Sequence, residues 1–443
     1  MAGLVAWLLG GFFLLAEEVH EVSDLDALLA LAEKDDQTVR LAPGRYRLSD
    51  YATEERLQQW RREGRSSFFR FSGDRNRFLL EGVVLIWETG LREKLRPRIH
   101  ASEIEVSGSG NLFRGWQILC EGEGTSPGGQ LLALSGEGNH LQDCRFEVRG
   151  STPYGYGDSF GKGGSPVIGH RKHSGVLITG NGNRLSDCHL VMRSFGHGYF
   201  IQKTASNLVF ENCVVEGEVR STDEMLAEKS GAAFEKGFRT VFRNRNGEHR
   251  LLPGYTKSLC EDGFRTYGEH QNLVFRNCEA RHMRSGFELR TEGSVQVENC
   301  RAVACERGFW VGTRTVMRAC EAEARYGPAL FLEGENADLE LTVHVPRSGR
   351  VVHGLAMISG REHRVRLLPG ILERELPVWL GFGIPGAGEG QVAFSPRRAE
   401  KVKLRNEASS PVVLSAEARG CRVESKGAIT ARKGVDNEVE RLP

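Results

Sequence analysis

The sequence has almost no charge excess: 59 Lys and Arg stand against 58 Asp and Glu, a formal net charge of +1. A chain that grips nucleic acid by its phosphates needs a basic stripe or domain, so that class is excluded. The sequence also lacks an apolar run long enough to cross a bilayer, which takes about 20 residues. Its longest run, Gly3 to Ala16, is cut off at once by Glu17 and Glu18 and has no Lys or Arg before it. We read residues 1–16 as a signal peptide, which predicts a secreted or periplasmic protein with no membrane span. Two further absences concern fold. There is no leucine framework and no sustained period of 3.6 residues, which excludes leucine-rich horseshoes and helical repeats.

What is present is a repeat of about 22 residues. Gly263-Phe264, Gly286-Phe287 and Gly308-Phe309 recur in step, and so do Asn272-Leu-Val-Phe-x-Asn-Cys278 and Ser294-Val-Gln-Val-Glu-Asn-Cys300. The fixed positions lie in alternating β-branched and aromatic runs, so each unit predicts two or three short strands. Units of that length stack as the coils of a parallel β-solenoid, about 4.8 Å apart. Cys144, Cys188, Cys213, Cys278, Cys300 and Cys320 hold one slot of the coil. Stacked side chains point parallel rather than at each other, so these thiols are expected to be small core residues and not disulfides. The asparagines that end Ser107-Gly-Ser-Gly-Asn111, Ser135-Gly-Glu-Gly-Asn139 and Thr179-Gly-Asn-Gly-Asn183 predict a hydrogen-bonded ladder between coils.

Before the coils, Ser23-Asp24-Leu25-Asp26-Ala27-Leu28-Leu29 reads as an N-capped helix feeding a first strand at Thr38–Leu41, a plug for the open end of the stack. On these features, and on the cap phrase Leu41-Ala-Pro-Gly-Arg-Tyr46, the chain resembles the pectate-lyase-like right-handed β-helix superfamily. The cap looks like that of the chondroitinase B and alginate lyase branch. The likeness covers roughly residues 20–335. It implies an all-β, right-handed parallel β-helix and a polysaccharide as partner. That branch's catalytic signature does not occur in a form that maps residue by residue, so no site is carried over. The domain reading is a cap and helical excursion over 17–66, coils over 67–345, and irregular closing strands over 346–443, where six prolines from Pro346 to Pro411 punctuate the chain. A monomer is expected.

Function is expected where the coil rule breaks. Cys144 to Gly175 and Cys213 to Gly263 are gaps of 31 and 50 residues, marking insertions at 145–174 and 214–262. Both leave the same corner and predict a walled groove beside one sheet face. Strand alternation turns Tyr199, Phe264, Phe287 and Phe309 inward and Phe200, Arg265, Glu288 and Trp310 outward, with Tyr267 and Arg290 beside them. Continued backwards, the same parity places His173, Glu261 and Arg284 on the groove side.

Two chemistries compete on that face. A lyase acting on a uronate neutralises the sugar carboxylate with cations, while a Lys, His, Tyr or Arg takes the C5 proton. Lys172, His173, His197, Lys257 and Arg265 are the cationic candidates, and Asp262 and Glu261 the carboxylates for acid–base work. A glycoside hydrolase would instead use a carboxylate pair drawn from Asp223, Glu261, Asp262 and Glu288. Tyr156, Lys162, Arg220, Asp223, Tyr267, Arg284, Glu288, Arg290 and Trp310 are expected to bind sugar, with Tyr156 stacking in the Gly-rich first insertion. Calcium is one option for the acidic residues, and no other cofactor is implied. A third class is a groove that binds glycan without cleaving it.

Overall fold

A computed structural model describes residues 18–160, 169–239, 248–347, 354–382 and 397–443. The signal-peptide reading and Lys162 fall outside these residues. The fold is a right-handed parallel β-helix: each coil contributes one strand to a 13-stranded sheet, and to a 23-stranded assembly that turns a corner it contributes two in the central coils and a single strand from Thr315 onward. In one coil these are Asp262–Thr266, Leu273–Arg276 and Glu279–Arg281; the next coil returns at Ser285–Leu289.

The repeat becomes physical in the strand register. Tyr199 pairs with Phe264, Phe264 with Phe287 and Phe287 with Phe309. Their rings point inward and stack at centroid distances of 5.2, 4.7 and 4.8 Å. Such contacts add about 0.5–1.5 kcal/mol each beyond the burial of the rings. The Asn-Cys phrase is explained by the next corner. Asn212, Asn277 and Asn299 have φ of 54°, 52° and 50°, a left-handed turn that Asn tolerates. Their amides run up the outside: Asn277 Nδ2 donates to Asn212 Oδ1 at 3.0 Å and Asn299 Nδ2 to Asn277 Oδ1 at 2.8 Å. The turn throws the following Cys inward. All ten cysteines are free and buried, as the stacked-slot reading expects.

A second ladder lies inside. The backbone N–H groups of Asn76, Asn111 and Asn139 donate to Oδ1 of Asn111, Asn139 and Asn183 at 2.8, 2.9 and 2.8 Å. Each asparagine therefore satisfies a buried donor of the preceding coil. At the N-terminal end, helix Leu25–Leu31 is capped by Asp24, whose Oδ1 accepts from Ala27 N at 2.8 Å, and it buries Leu25, Leu28 and Leu29 on the first coil. Helix Glu54–Arg62 buries Trp60 beside it.

The C-terminal part differs from its expected irregularity. Strands Asp338–Val345, Arg364–Leu372, Lys403–Asn406, Arg422–Ser425 and Glu438–Arg441 continue the parallel ladder to the end of the chain. Pro369 is accommodated next to a register shift between Val343 and Val345. Pro346, Pro377 and Pro411 sit just outside strands, and so obscure the repeat in sequence without breaking it in space.

Candidate functional site

The outward column of the 13-stranded sheet breaks the repetition found inside. Phe200, Arg265, Glu288, Trp310 and Phe331 follow one another on adjacent coils, and Tyr267 and Arg290 flank them at the strand ends. Where the sequence reading placed charged and aromatic side chains along an open groove face, the structure holds a buried ionic lattice. Glu261, Asp262, Arg284 and Glu288 are at most 2% exposed. Arg284 forks onto Asp262, with Nη2 at 2.9 and 2.8 Å from its two oxygens, and sends Nη1 to Glu261 Oε1 at 3.0 Å. Lys172 Nζ reaches that same Glu261 oxygen at 2.9 Å. Glu288 is held by Arg265, by Arg290 at 2.6 Å and by Ser285 Oγ at 3.2 Å.

Charge balance sustains the lattice. Asp158, Glu261, Asp262, Glu288 and Glu306 are matched by Lys172, Lys257, Arg265, Arg284 and Arg307. Burial alone would raise the Asp262 carboxyl, but Arg284 outweighs it, helped by His197 and Arg265, and holds the group well below the usual range. Burial and the neighbouring Arg284 charge push Arg307 down to about 10. Arg307 went unrecognised in the sequence. It sits in register with Ser285, which is itself in register with Asp262, so strand alignment was the signal that could have found it.

Several expected site residues serve other purposes. The two insertions do not wall a groove separately; they clasp each other. Tyr154 OH donates to Glu218 at 2.5 Å, Tyr156 OH to Glu228 at 2.6 Å, and Arg220 Nη1 to Gly155 O at 3.3 Å. Met225, Leu251 and Leu259 form a small core against Tyr154 and Tyr156. Tyr156 and Arg220 are thus consumed by loop packing. Asp223 accepts from Gly254 N at 2.8 Å inside its own insertion. Lys257 is buried between Asp158 at 2.7 Å and Glu306 at 3.2 Å. Burial lowers its affinity for a proton, but the two carboxylates more than compensate, so it stays charged. Trp310 is covered by Arg290, 4.1 Å above its ring, and packs on Phe331. His173 is 1% exposed, with Nε2 3.6 Å from Glu103, itself clamped by Arg92. Burial, then the Arg92 charge, depresses its pKa far below the ordinary value, and the ring is neutral.

What reaches solvent is a compact set. Tyr267 is 38% exposed, and the side chains of Lys172 and Arg290 are 33% and 35% exposed. His197 and Arg265 lie directly beneath. His197 Nε2 is 2.8 Å from Tyr267 OH, and its Nδ1 is 3.3 Å from Asp262 Oδ2. Glu261 Oε2 stands 3.3 Å from Nε2. Arg265 lies over the Tyr267 ring at 4.3 Å. Burial lowers the His197 pKa, against the pull of Glu261 and Asp262, so the ring is neutral at neutral pH. Burial likewise raises Tyr267, with Arg265 opposing, so its hydroxyl keeps its proton. The arrangement is a phenol, an imidazole and a carboxylate in line, with cations on either side.

Among the described residues, no group of three or more His, Cys, Asp and Glu side chains stands ready to hold a metal. Glu261 and Asp262 direct their oxygens at Arg284, Lys172 and His197, so they do not fit a calcium cage and no step below passes through one.

No family model matches the chain, and no curated protein does. Similar folds occur among solved structures. An endo-xylogalacturonan hydrolase from Aspergillus tubingensis aligns over 96% of this chain and 93% of its own, with 10% identity and a TM-score of 0.34. A PL6 alginate lyase in complex with a trisaccharide aligns over 93% and 86%, with 11% identity and a TM-score of 0.44. A second alginate lyase complex aligns over 93% and 85%, with 10% identity and a TM-score of 0.43. At these values the likenesses say nothing of chemistry, which must come from the residues themselves.

Proposed function

We propose that the protein is a polysaccharide lyase that cleaves a uronate-containing glycan by β-elimination. The observation that carries this reading is the 2.8 Å contact between Tyr267 OH and His197 Nε2 at the open edge of the site, backed by Asp262. We assign the His197 proton to Nδ1, where the Asp262 Oδ2 carboxylate at 3.3 Å is taken as its acceptor in preference to the 3.4 Å approach of the Asp262 N–H to the same nitrogen, which leaves Nε2 to accept from the phenol. As the Tyr267 oxygen takes the C5 proton, its own proton moves to His197, and Asp262 and Glu261 stabilise the imidazolium. The C4–O4 bond breaks, the C4=C5 bond forms, and the proton returns through Tyr267 to the departing O4. The enzyme ends unchanged. Lys172 and Arg290, the exposed cations, neutralise the sugar carboxylate and so acidify C5–H.

The hydrolase reading is weaker on the same evidence. It needs one protonated and one ionised carboxyl facing the scissile bond, whereas Glu261, Asp262 and Glu288 are buried and bound to Arg or Lys. The test is incubation with anionic and neutral polysaccharides, recording absorbance near ~235 nm and reducing ends together, because only elimination makes the unsaturated chromophore. Reducing ends without absorbance would establish hydrolysis, and neither signal in the presence of binding would leave a lectin-like groove.

A further inference from the structure

The interior asparagine ladder ends one coil before the site. Asn183 donates both protons of its amide, to Gly180 O in its own coil at 2.9 Å and to Gly136 O in the preceding coil at 3.0 Å. In the next two coils its place is taken by Leu208 and Leu273, according to the register of the adjoining strands. The carbonyl column continues without it: counted back from the following strands, the register sets Gly136, Gly180 and Ala205 in one column, and Ala205 O needs a donor. His270 supplies that donor. It is fully buried; Nδ1 is 2.8 Å from Ala205 O, and Nε2 is 3.0 Å from Tyr267 O. The imidazole thus does for the Tyr267 turn what the Asn183 amide does for its own.

The two groups differ by one proton. A primary amide has two N–H bonds at every pH, whereas a neutral imidazole has one. We propose that His270 is the positioning residue for Tyr267, and that with its single proton it fastens the Tyr267 turn less firmly than the two-proton Asn183 amide fastens its own. This rests on reading Tyr267 as the reacting hydroxyl. The charged side chains on the three neighbouring turns, Lys203, Glu269 and Glu292, are exposed, and neither they nor Tyr267 OH act on the ring. Burial opposes a second proton, and the two carbonyls favour it less strongly, so its pKa lies below the ordinary value. Acid therefore favours the opened turn, where the ring is free to charge. The fastening is complete above the ordinary histidine range and is lost as pH falls through it.

Hydrogen–deuterium exchange of the full chain tests this, using protection factors corrected for intrinsic rates over residues 202–206 and 267–271. His270→Asn should raise protection about three- to tenfold at neutral pH in those segments alone. It should also abolish the loss of protection that the wild type shows on acidification. Unchanged protection in His270→Asn, or a wild type that becomes more protected in acid, overturns the inference. In turnover, His270→Ala should lower kcat about tenfold with KM unchanged, and His270→Asn should restore it; failure of that rescue also overturns the positioning role. A wild type that makes no unsaturated product while its exchange behaves as stated would refute the lyase reading and leave the fastening of the turn intact.

Discussion

The two faces of the same strands obey different rules. Inward, Tyr199, Phe264, Phe287 and Phe309 repeat one aromatic stacking solution coil after coil. Outward, Phe200, Arg265, Glu288 and Trp310 occupy the same register with four different chemistries. Repetition is the signature of stacking energy, which every coil needs alike. Variation on a face that must stay in register is the signature of a site, because unlike charges lock only one arrangement.

The widest separation of the two faces comes from substitutions at the reacting pair. His197→Ala and Tyr267→Phe should each lower turnover by roughly two to four orders of magnitude with unfolding transitions unchanged. The acid limb of kcat should fall below the ordinary histidine value of 6.5, because His197 is depressed. Equal loss from Glu288→Ala with none from His197→Ala would transfer the chemistry to a carboxylate.

A smaller effect, in the opposite currency, is expected from the lattice and the core. Arg284→Ala strands the buried Asp262 charge and should cost about 3–5 kcal/mol in denaturant unfolding. Phe287→Ala should cost about as much by opening a cavity among stacked rings. Only the former should alter the pH dependence of stability. Asp262 is depressed, so its contribution is complete above its ordinary 3.8 and fades as pH falls below that value. Loss of Arg284 should flatten that acid limb, and an identical limb in both variants would show that the lattice does not hold Asp262. Smallest is Asn139→Ala, which leaves the buried Asn111 N–H without its acceptor and should cost about 1–3 kcal/mol; a neutral result would remove the ladder from the account of stability.

The sequence made the inner face legible because its rules are local and periodic. Phe264, Phe287 and Phe309, the Asn-Cys turn and the Asn139 ladder could all be read from spacing. The outer face was legible only in parity. Spacing could place Glu288 and Arg284 on the correct side, but not reveal that Arg265, Ser285 and Arg307 would seal them from water, since that depends on charges in neighbouring coils. The clasp was hidden for the same reason: Tyr154 meets Glu218 and Tyr156 meets Glu228 across 64 and 72 residues of chain, a pairing no period announces.

That clasp changes how the molecule comes apart. A plain solenoid can peel from either end, since each coil is held only by the one before and the one after. Here the tyrosine contacts and the Lys257–Asp158 pair splice the coil entered at His173 to the one entered at Asp262, across the coil that lies between them. A crack advancing from the C-terminal end must break the splice before it can release His197, and since Glu306 and Arg307 belong to the buried lattice, only coils beyond Val311 can fray and re-form while the turns that carry His197 and Tyr267 stay assembled.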